Sequence, residues 1–521
     1  MASAPFTSCK YMKHIILLLA SAAFTHPSLA FAPPKQARTK PALTSASQQA
    51  NDDDGSLKVA IIGAGPSGLL LAHRLLLSSF PVASLEIYES RSDPRLASNL
   101  DGRAYALGLG IRGRTAIKSV DEQLWEAIKS RGFECDRFRL HINERINVKL
   151  RDAEVGVEPS VLIYQTDLCG ALLDELDNRS KDSSIDVRVQ FNANVTDVDL
   201  ISSQIKIGDH IHDSYYDLIV GSDGANSVVR RSLTKYSAPF AATQRKLPGY
   251  FKVARVAEMP PKMDPRSVAL VLPRKGTVTA FVEPTIGGGG CVLFACRLVK
   301  NSSADANEID LEAALFGDAS VTTNQVEDMI NEAYPLLEGT SGLSEAVQTL
   351  LSQRNGVADS VKCNIYHSKP DATPTAIIGD AAHATGGVSG QGCNSALMDA
   401  KVLSDCFAEY CSMQGSKKAK LHECLKSYSA QQVPEGLALY DLSFGNDGET
   451  LPIYRSIASV LSTVIDSLFR GRWGIGKKPL QTLLASSSTS FVEIRREREK
   501  YFVKDFPSDE ELVGMLDGVY K

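Results

Sequence analysis

The segment Leu57 to Ser90, "LKVAIIGAGPSGLLLAHRLLLSSFPVASLEIYES", leaves a chain little choice of fold. "KVAII" is a short continuous apolar run, as in a strand buried on both faces, and "GLLLAHRLLL" has helical length and composition. "SLEIYE" supplies the next strand, so the order is β-α-β with Gly63, Gly65 and Gly68 at the first turn. The three glycines serve different ends. Gly63 makes the tight turn, Gly65 lets a pyrophosphate approach the helix N-terminus, and Gly68 lets the helix lie close on the sheet. Glu89 ends the second strand, about 20 residues past the last glycine, where a carboxylate accepts hydrogen bonds from an adenosine ribose. The unit is read as a dinucleotide site.

Two further strands end in a Gly/Asp turn: "YDLIVGSDGANSVVRRSL" at 216–233, with Asp223, and "IIGDAAHATGGVSGQGCNSALMDA" at 377–400, with Asp380. Three such strand ends can converge on one long cofactor. Its adenine end is then held by Gly63 to Gly68 and Glu89, and its ribityl and ring end by Asp380 and the loop that follows. A nicotinamide dinucleotide rarely needs this second anchor, so the expected cofactor is FAD.

Between these blocks, "YFKVARVAEM", "SVALVLPRKGTVTAFVE" and "GGGGCVLFACRLV" alternate apolar and polar residues as strands of an antiparallel sheet do. "IGGGG" at 286–290 lacks a following helix and is read as a hairpin or loop. The fold expected is α/β: a Rossmann-like FAD-binding domain from 57–235 and 360–425, an inserted antiparallel β-sheet substrate domain at 236–359, and a C-terminal helical region at 426–521. In that last region "LPIYRSIASVLSTVIDSLF" at 451–469 places its apolar residues on one helical face. It is read as core packing under a lid, with a peripheral membrane-surface helix as the second reading.

A net charge of −5 with scattered Lys and Arg gives no nucleic-acid footprint. Ten cysteines without a CxxC or Cys/His spacing imply neither a metal nor a disulfide framework. Cys291 and Cys296 on a strand, and Cys406 and Cys411 on a helix, are read as small buried apolar residues.

Together these blocks resemble the single-component FAD-dependent aromatic hydroxylases (group A flavoprotein monooxygenases), over most of residues 57–450. Within them the match is to kynurenine 3-monooxygenase-like proteins, through "GRAYALGLGIRGRTAIKSV", the 216–230 segment and "VPEGLALYDLSFGNDGE". The resemblance implies an oxidoreductase that uses NADPH or NADH and O2 to hydroxylate a small aromatic substrate through a flavin C4a-hydroperoxide, with no catalytic side chain and no metal. It implies that Gly63, Gly65, Gly68, Glu89 and Arg91 hold the ADP half of FAD and that Arg103, Gln165 and Asp223 belong to the cofactor site. Asp380 then meets the ribityl chain, while Gly390, Gln391, Gly392, Cys393 and Asn394 present helix-start N–H groups to the flavin. Asn446 and Arg139, the latter in "DRFRL" with Arg137, are the implied substrate residues. His383 in "DAAH" reads as a packed residue beside the Asp in preference to a base. The chain departs from the family at Gln165, where an Arg is usual, at Gly387, where a Pro is usual, and at Gln481, where a Tyr is usual. These departures leave FAD binding intact and leave the substrate open. The competing readings are an FAD-dependent epoxidase of an isoprenoid or carotenoid and a flavin-binding protein without turnover.

Residues 1–50 carry no Asp or Glu. "HIILLLASAAF" suits the core of a signal peptide over 1–30, Ser28 and Ala30 fit a cleavage site, and 31–56, basic and Ser/Ala/Thr/Pro-rich up to residue 50 with the acidic "NDDDG" after it, reads as a transit peptide and linker. The expected address is a plastid, with secretion or the endomembrane lumen as the alternative.

Overall fold

A computed structural model describes residues 56–96, 105–153, 156–237, 240–296, 309–445 and 480–517. The leader at 1–55, Arg103, Asn446 and the 451–469 segment lie outside the described residues.

Five parallel strands form the nucleotide-side sheet, in the order Thr375–Ile377, Leu218–Gly221, Leu57–Ile62, Val82–Tyr88, Asp186–Gln190. The "KVAII" strand is central, and Val59, Ala60 and Ile61 are fully buried, as its unbroken apolar run requires. The helix Pro66–Leu77 shows little amphipathic pattern because it is covered on several sides. It packs on the helices Gln165–Ser180 and Gly392–Cys406, and Leu69, Leu70, Leu71 and Leu75 have no exposed surface.

A second sheet of six strands runs Tyr250–Val256, Gly290–Cys296, Thr279–Pro284, Ser267–Val271, Arg137–His141, Asn147–Arg151. Its pairs are antiparallel except Ser267–Val271 with Arg137–His141, which is parallel. The sheet is therefore not drawn from 236–359 alone: two strands come from the segment that precedes it in the chain. The insert also carries the helices Leu311–Phe316, Thr323–Ala333 and Leu343–Ser352, which share a core with one face of the sheet. Its opposite face meets Tyr164, Leu162, Cys135 and Tyr105 of the first domain. The chain enters and leaves the insert through one antiparallel ribbon, Ala242–Lys246 with Asp359–Cys363. Ile286 to Gly289 turn between two antiparallel strands, the hairpin expected.

After Gly392–Cys406 come the long helix Lys417–Phe444 and the helices Leu480–Ser486, Phe491–Glu497 and Asp509–Asp517. Gln481 lies in the second of these. Among the described residues no helix is long and apolar enough to cross a membrane. Cys291 and Cys296 are buried, but Cys406 is only half-buried and Cys411 is exposed. Cys411 lies past the helix end, in the turn Tyr410–Ser412, which corrects the expectation that both residues of this pair face a core.

Candidate functional site: a cleft at three strand ends

The three Gly/Asp strand ends lie side by side because their strands are neighbours in the parallel sheet. Gly63 has φ +107°, and a Cβ there would stand 2.4 Å from the Ser222 carbonyl oxygen, so the turn admits only glycine. At Gly68 a Cβ would stand 2.3 Å from the Gly63 oxygen and 2.4 Å from Ser222 Oγ. Gly65 differs: its nearest neighbour would be the Ser222 oxygen at 4.0 Å, so this side of the turn faces open space at the start of a helix with no side-chain cap. Ser222, which no sequence motif singles out, donates from Oγ to Gly63 O at 2.6 Å and ties the first two strand ends together.

Glu89 is buried, and its Oε2 accepts from Ala64 N at 3.0 Å. Its Oε1 accepts from Arg91 N at 2.9 Å and Arg91 Nε at 2.8 Å. Burial alone would raise this carboxyl, but the hydrogen bonds and charge of Arg91 hold it below the usual range, so it is ionised. Asp223 uses Oδ2 to cap the helix Val228–Tyr236, accepting from Val228 N at 2.6 Å. Its Oδ1 is buried with no partner among the described residues.

At the third strand end Asp380 is exposed, yet the surrounding protein raises its carboxyl above the ordinary range. It therefore looks into a recess within the molecule and not outward from a convex surface. Tyr105 links the two ends of this recess: its phenol, pushed up to about 12 chiefly by burial, feels Asp380, Cys393, Arg91 and Cys169. The open face of Gly65, the orphaned Asp223 oxygen and the recessed Asp380 fit a long dinucleotide whose pyrophosphate crosses the glycine turn.

A family profile described as "FAD binding domain" matches residues 56–285. Kynurenine 3-monooxygenase of Stenotrophomonas maltophilia is 25% identical over 456 residues, 85% of this chain and 90% of that protein. The enzyme of the same name from Drosophila willistoni is 24% identical over 404 residues, 76% of this chain and 80% of its own. Residues 56–285 match the FAD-binding domain family, and over most of its length the chain is similar to FAD-dependent aromatic hydroxylases. The solved structure of 2-methyl-3-hydroxypyridine-5-carboxylic acid oxygenase agrees in fold, with a TM-score of 0.58 at 16% identity, covering 87% of this chain and 100% of that one. P. aeruginosa PqsL agrees likewise, with a TM-score of 0.54 at 18% identity over 78% of this chain and 99% of that one. The protein is thus an oxidoreductase of the monooxygenase type that binds FAD.

At Gly387, where the resemblance implies a proline, the backbone gives a reason for the glycine. Gly387 has φ +77°, a conformation closed to the proline usual there. The loop closes on itself through Val388 N to Thr385 O at 3.2 Å and Gly390 N to Gly387 O at 3.1 Å. Gly390, Gln391, Gly392, Cys393 and Asn394 then run into the helix Gly392–Cys406 beside Asp380, a Cβ on Gly392 lying 3.9 Å from its Oδ1. The Asn394 side chain serves the protein itself. Its Oδ1 accepts from Gly110 N at 2.8 Å and Gly113 N at 3.2 Å, and its Nδ2 donates to Gly108 O at 2.8 Å. It thereby caps the helix Ile111–Lys118, whose own N-cap is a glycine. Asn394→Ala should cost about 1–3 kcal/mol, because buried donors lose their acceptor; urea denaturation checks this, and an unchanged midpoint contradicts it.

His383 is buried against Asp399, Nε2 to Oδ2 at 2.6 Å, and the same oxygen accepts from Gly379 N at 2.7 Å. Burial would lower the imidazole, but the Asp399 charge and hydrogen bond raise it above its ordinary value. The pair fixes the Gly379-Asp380 turn to the helix behind it. The packed reading of His383 therefore stands, and Asp399 is a residue that sequence reasoning missed.

Arg139 does not reach the cleft. It alternates with Phe138 along its strand and shares a face with Ala269, on the side packed against the insert helices, with its Nη2 3.8 Å from Asp264. Arg137 lies on the same face, 3.2 Å from Asp264. Gln165 is half-buried at the first position of the helix Gln165–Ser180. On the cleft-side face stand Arg255, Cys291 and Glu283 in one cross-strand row. Arg255 lies over the Tyr164 ring at 3.8 Å, and burial pushes Glu283 up to about 8.

The raised Glu283 carboxyl couples stability to pH. It ionises near 4.5 when unfolded and near 8 when folded, so the folded chain holds the extra proton between these values. The stability is intact below the lower value and is lost as pH rises toward the upper one. The expected loss is on the order of 2–3 kcal/mol between about pH 5 and pH 8, and Glu283→Leu should flatten it. Denaturation series at both pH values read this out, and an identical decline in the variant contradicts it.

Proposed function

We propose that this hydroxylase uses NADPH or NADH and O2 to hydroxylate a small aromatic, kynurenine-like compound. The observation that carries the reading is the set of neighbouring strand ends with Glu89 and Arg91 toward one side and Asp380 toward the other, Tyr105 standing near both. In this reading Gly63, Gly65, Gly68, Glu89 and Arg91 hold the ADP half of FAD, and Asp223 and Asp380 meet the middle and the ribityl chain. The N–H groups at Gly390 to Asn394 face the ring, and Gln165 borders it. When bound, FAD supplies reduction by the nicotinamide and activation of O2. The chain's own residues bind and orient it, and the insert sheet covers the ring end and excludes water, which otherwise wastes reductant. The names of the relatives support an aromatic substrate: kynurenine for two, a hydroxypyridine carboxylic acid for a third, and 2-aminobenzoylacetate bound to PqsL.

The test is NADPH consumption with a panel of substituted aromatics, followed by product analysis. The expected result is compound-stimulated consumption with one oxygen atom added to the ring. Consumption equal with and without every compound, and no product, contradicts the proposal. The composition of 1–55 supports a plastid address; a fusion of these residues to a fluorescent protein that reaches the cytosol or the medium contradicts it.

A further inference from the structure

The cleft-side face of the insert sheet carries two ionisable groups that no fold requirement explains. Arg255 pairs with Cys291, and Cys291 pairs with Glu283, so the two long side chains flank a short one on the same face. Arg255 and Glu283 sit two strands apart, about 10 Å between Cα atoms. Arg255 makes a ring contact with Tyr164 but no hydrogen bond or ion pair among the described residues, and its Nε and Nη2 are buried without a partner. Those two nitrogens form the guanidinium edge that grips a carboxylate in two places. Glu283 has no hydrogen-bond or ion-pair partner among the described residues, and burial keeps it protonated at neutral pH. A salt bridge between the two would be the ordinary explanation, but none forms within 4.0 Å. The row adjoins the cofactor recess: Cys291 packs with Tyr105 and Ala106, and Tyr105 feels Asp380 and Cys393. The buried Arg255 nitrogens left unmet in this way, with the half-buried and unpaired Glu283 beside them, call for a ligand.

We propose that Arg255 and Glu283 form the substrate-reading notch, selecting a ring that carries a carboxylate on one side and an amino or hydroxyl donor on the opposite side. The inference rests on the hydroxylase reading and, within its small aromatic substrates, replaces the kynurenine-like pattern of adjacent amino and acyl groups with groups on opposite sides of the ring. Arg255 takes the carboxylate, Glu283 accepts from the donor, and Cys291 leaves room for the ring between them.

Titration calorimetry on the full FAD-loaded chain tests it, with 4-aminobenzoate, benzoate, aniline and 2-aminobenzoate as probes. The wild type is expected to bind 4-aminobenzoate about tenfold or more tighter than benzoate or aniline. The adjacent groups of 2-aminobenzoate should give no advantage over benzoate. Arg255→Met should bring 4-aminobenzoate down to the level of aniline, and Arg255→Lys, which keeps charge without the planar fork, should fall between. Glu283→Leu should bring it down to the level of benzoate, with benzoate itself unchanged. Equal binding of all probes by the wild type overturns the proposal, as does retention of the wild-type preference in either Arg255→Met or Glu283→Leu. FAD released on denaturation is a separate readout. A wild-type chain without FAD contradicts the hydroxylase reading, while the affinities of that same chain still decide the notch.

Discussion

Gly65→Val is expected to give a folded protein that has lost its FAD. Position 65 has φ −76°, and the nearest heavy atom to an added Cβ lies 4.0 Å away, so a Cβ there meets neither backbone strain nor a clash. Stability should stay within about 1 kcal/mol of wild type. The added methyl groups instead fill the space through which a pyrophosphate reaches the helix start, and affinity should fall on the order of 100-fold or more, about 2.7 kcal/mol. Gly68→Ala makes the opposite case. Its Cβ would press on the Gly63 oxygen at 2.3 Å and destabilise the fold itself by about 1–3 kcal/mol or more. Thermal melts together with FAD released on denaturation separate the two. A Gly65→Val protein that keeps a full complement of FAD contradicts the assignment of this turn.

Asp399→Ala should be the most damaging single change to stability at the ring end, at about 3–5 kcal/mol. Both partners of the pair are buried, Asp399 completely, and its Oδ2 receives His383 Nε2 and Gly379 N together. Removing the carboxylate strands two buried donors and releases the turn that carries Asp380. Asp399→Asn keeps an acceptor oxygen and should lose less. Denaturant midpoints measure the difference; a loss under about 1 kcal/mol in Asp399→Ala would show that the pair does not hold the turn.

The parts of the site that local sequence encodes are legible in the amino-acid sequence itself. Gly63, Gly68 and Glu89 answer to the geometry of one β-α-β unit, and Asp380 follows from a strand end. Partners fixed by distant pairing are not legible there. Ser222 and Asp399 act across 159 and 20 residues respectively, and their neighbours in sequence give no pattern for it. Asp399 has one faint signal, an acid in an otherwise small and apolar helical stretch. Arg139 shows the other limit: alternation marks a strand but does not say which face meets the cleft. That face is set by the parallel pairing of Arg137–His141 with Ser267–Val271, 130 residues apart in sequence. Arg255 and Glu283 are hidden in the same way, each an ordinary polar position in an alternating strand until the antiparallel pairings with Gly290–Cys296 bring both beside Cys291.

The central claim is that one FAD lies along the recess from Glu89 to Asp380. The most direct measurement is the visible absorbance of the purified chain, with quantification of the flavin released on denaturation. One FAD per chain, lost in Gly65→Val and retained in Arg255→Met, is the result predicted. A colourless protein that takes up no added FAD would contradict it.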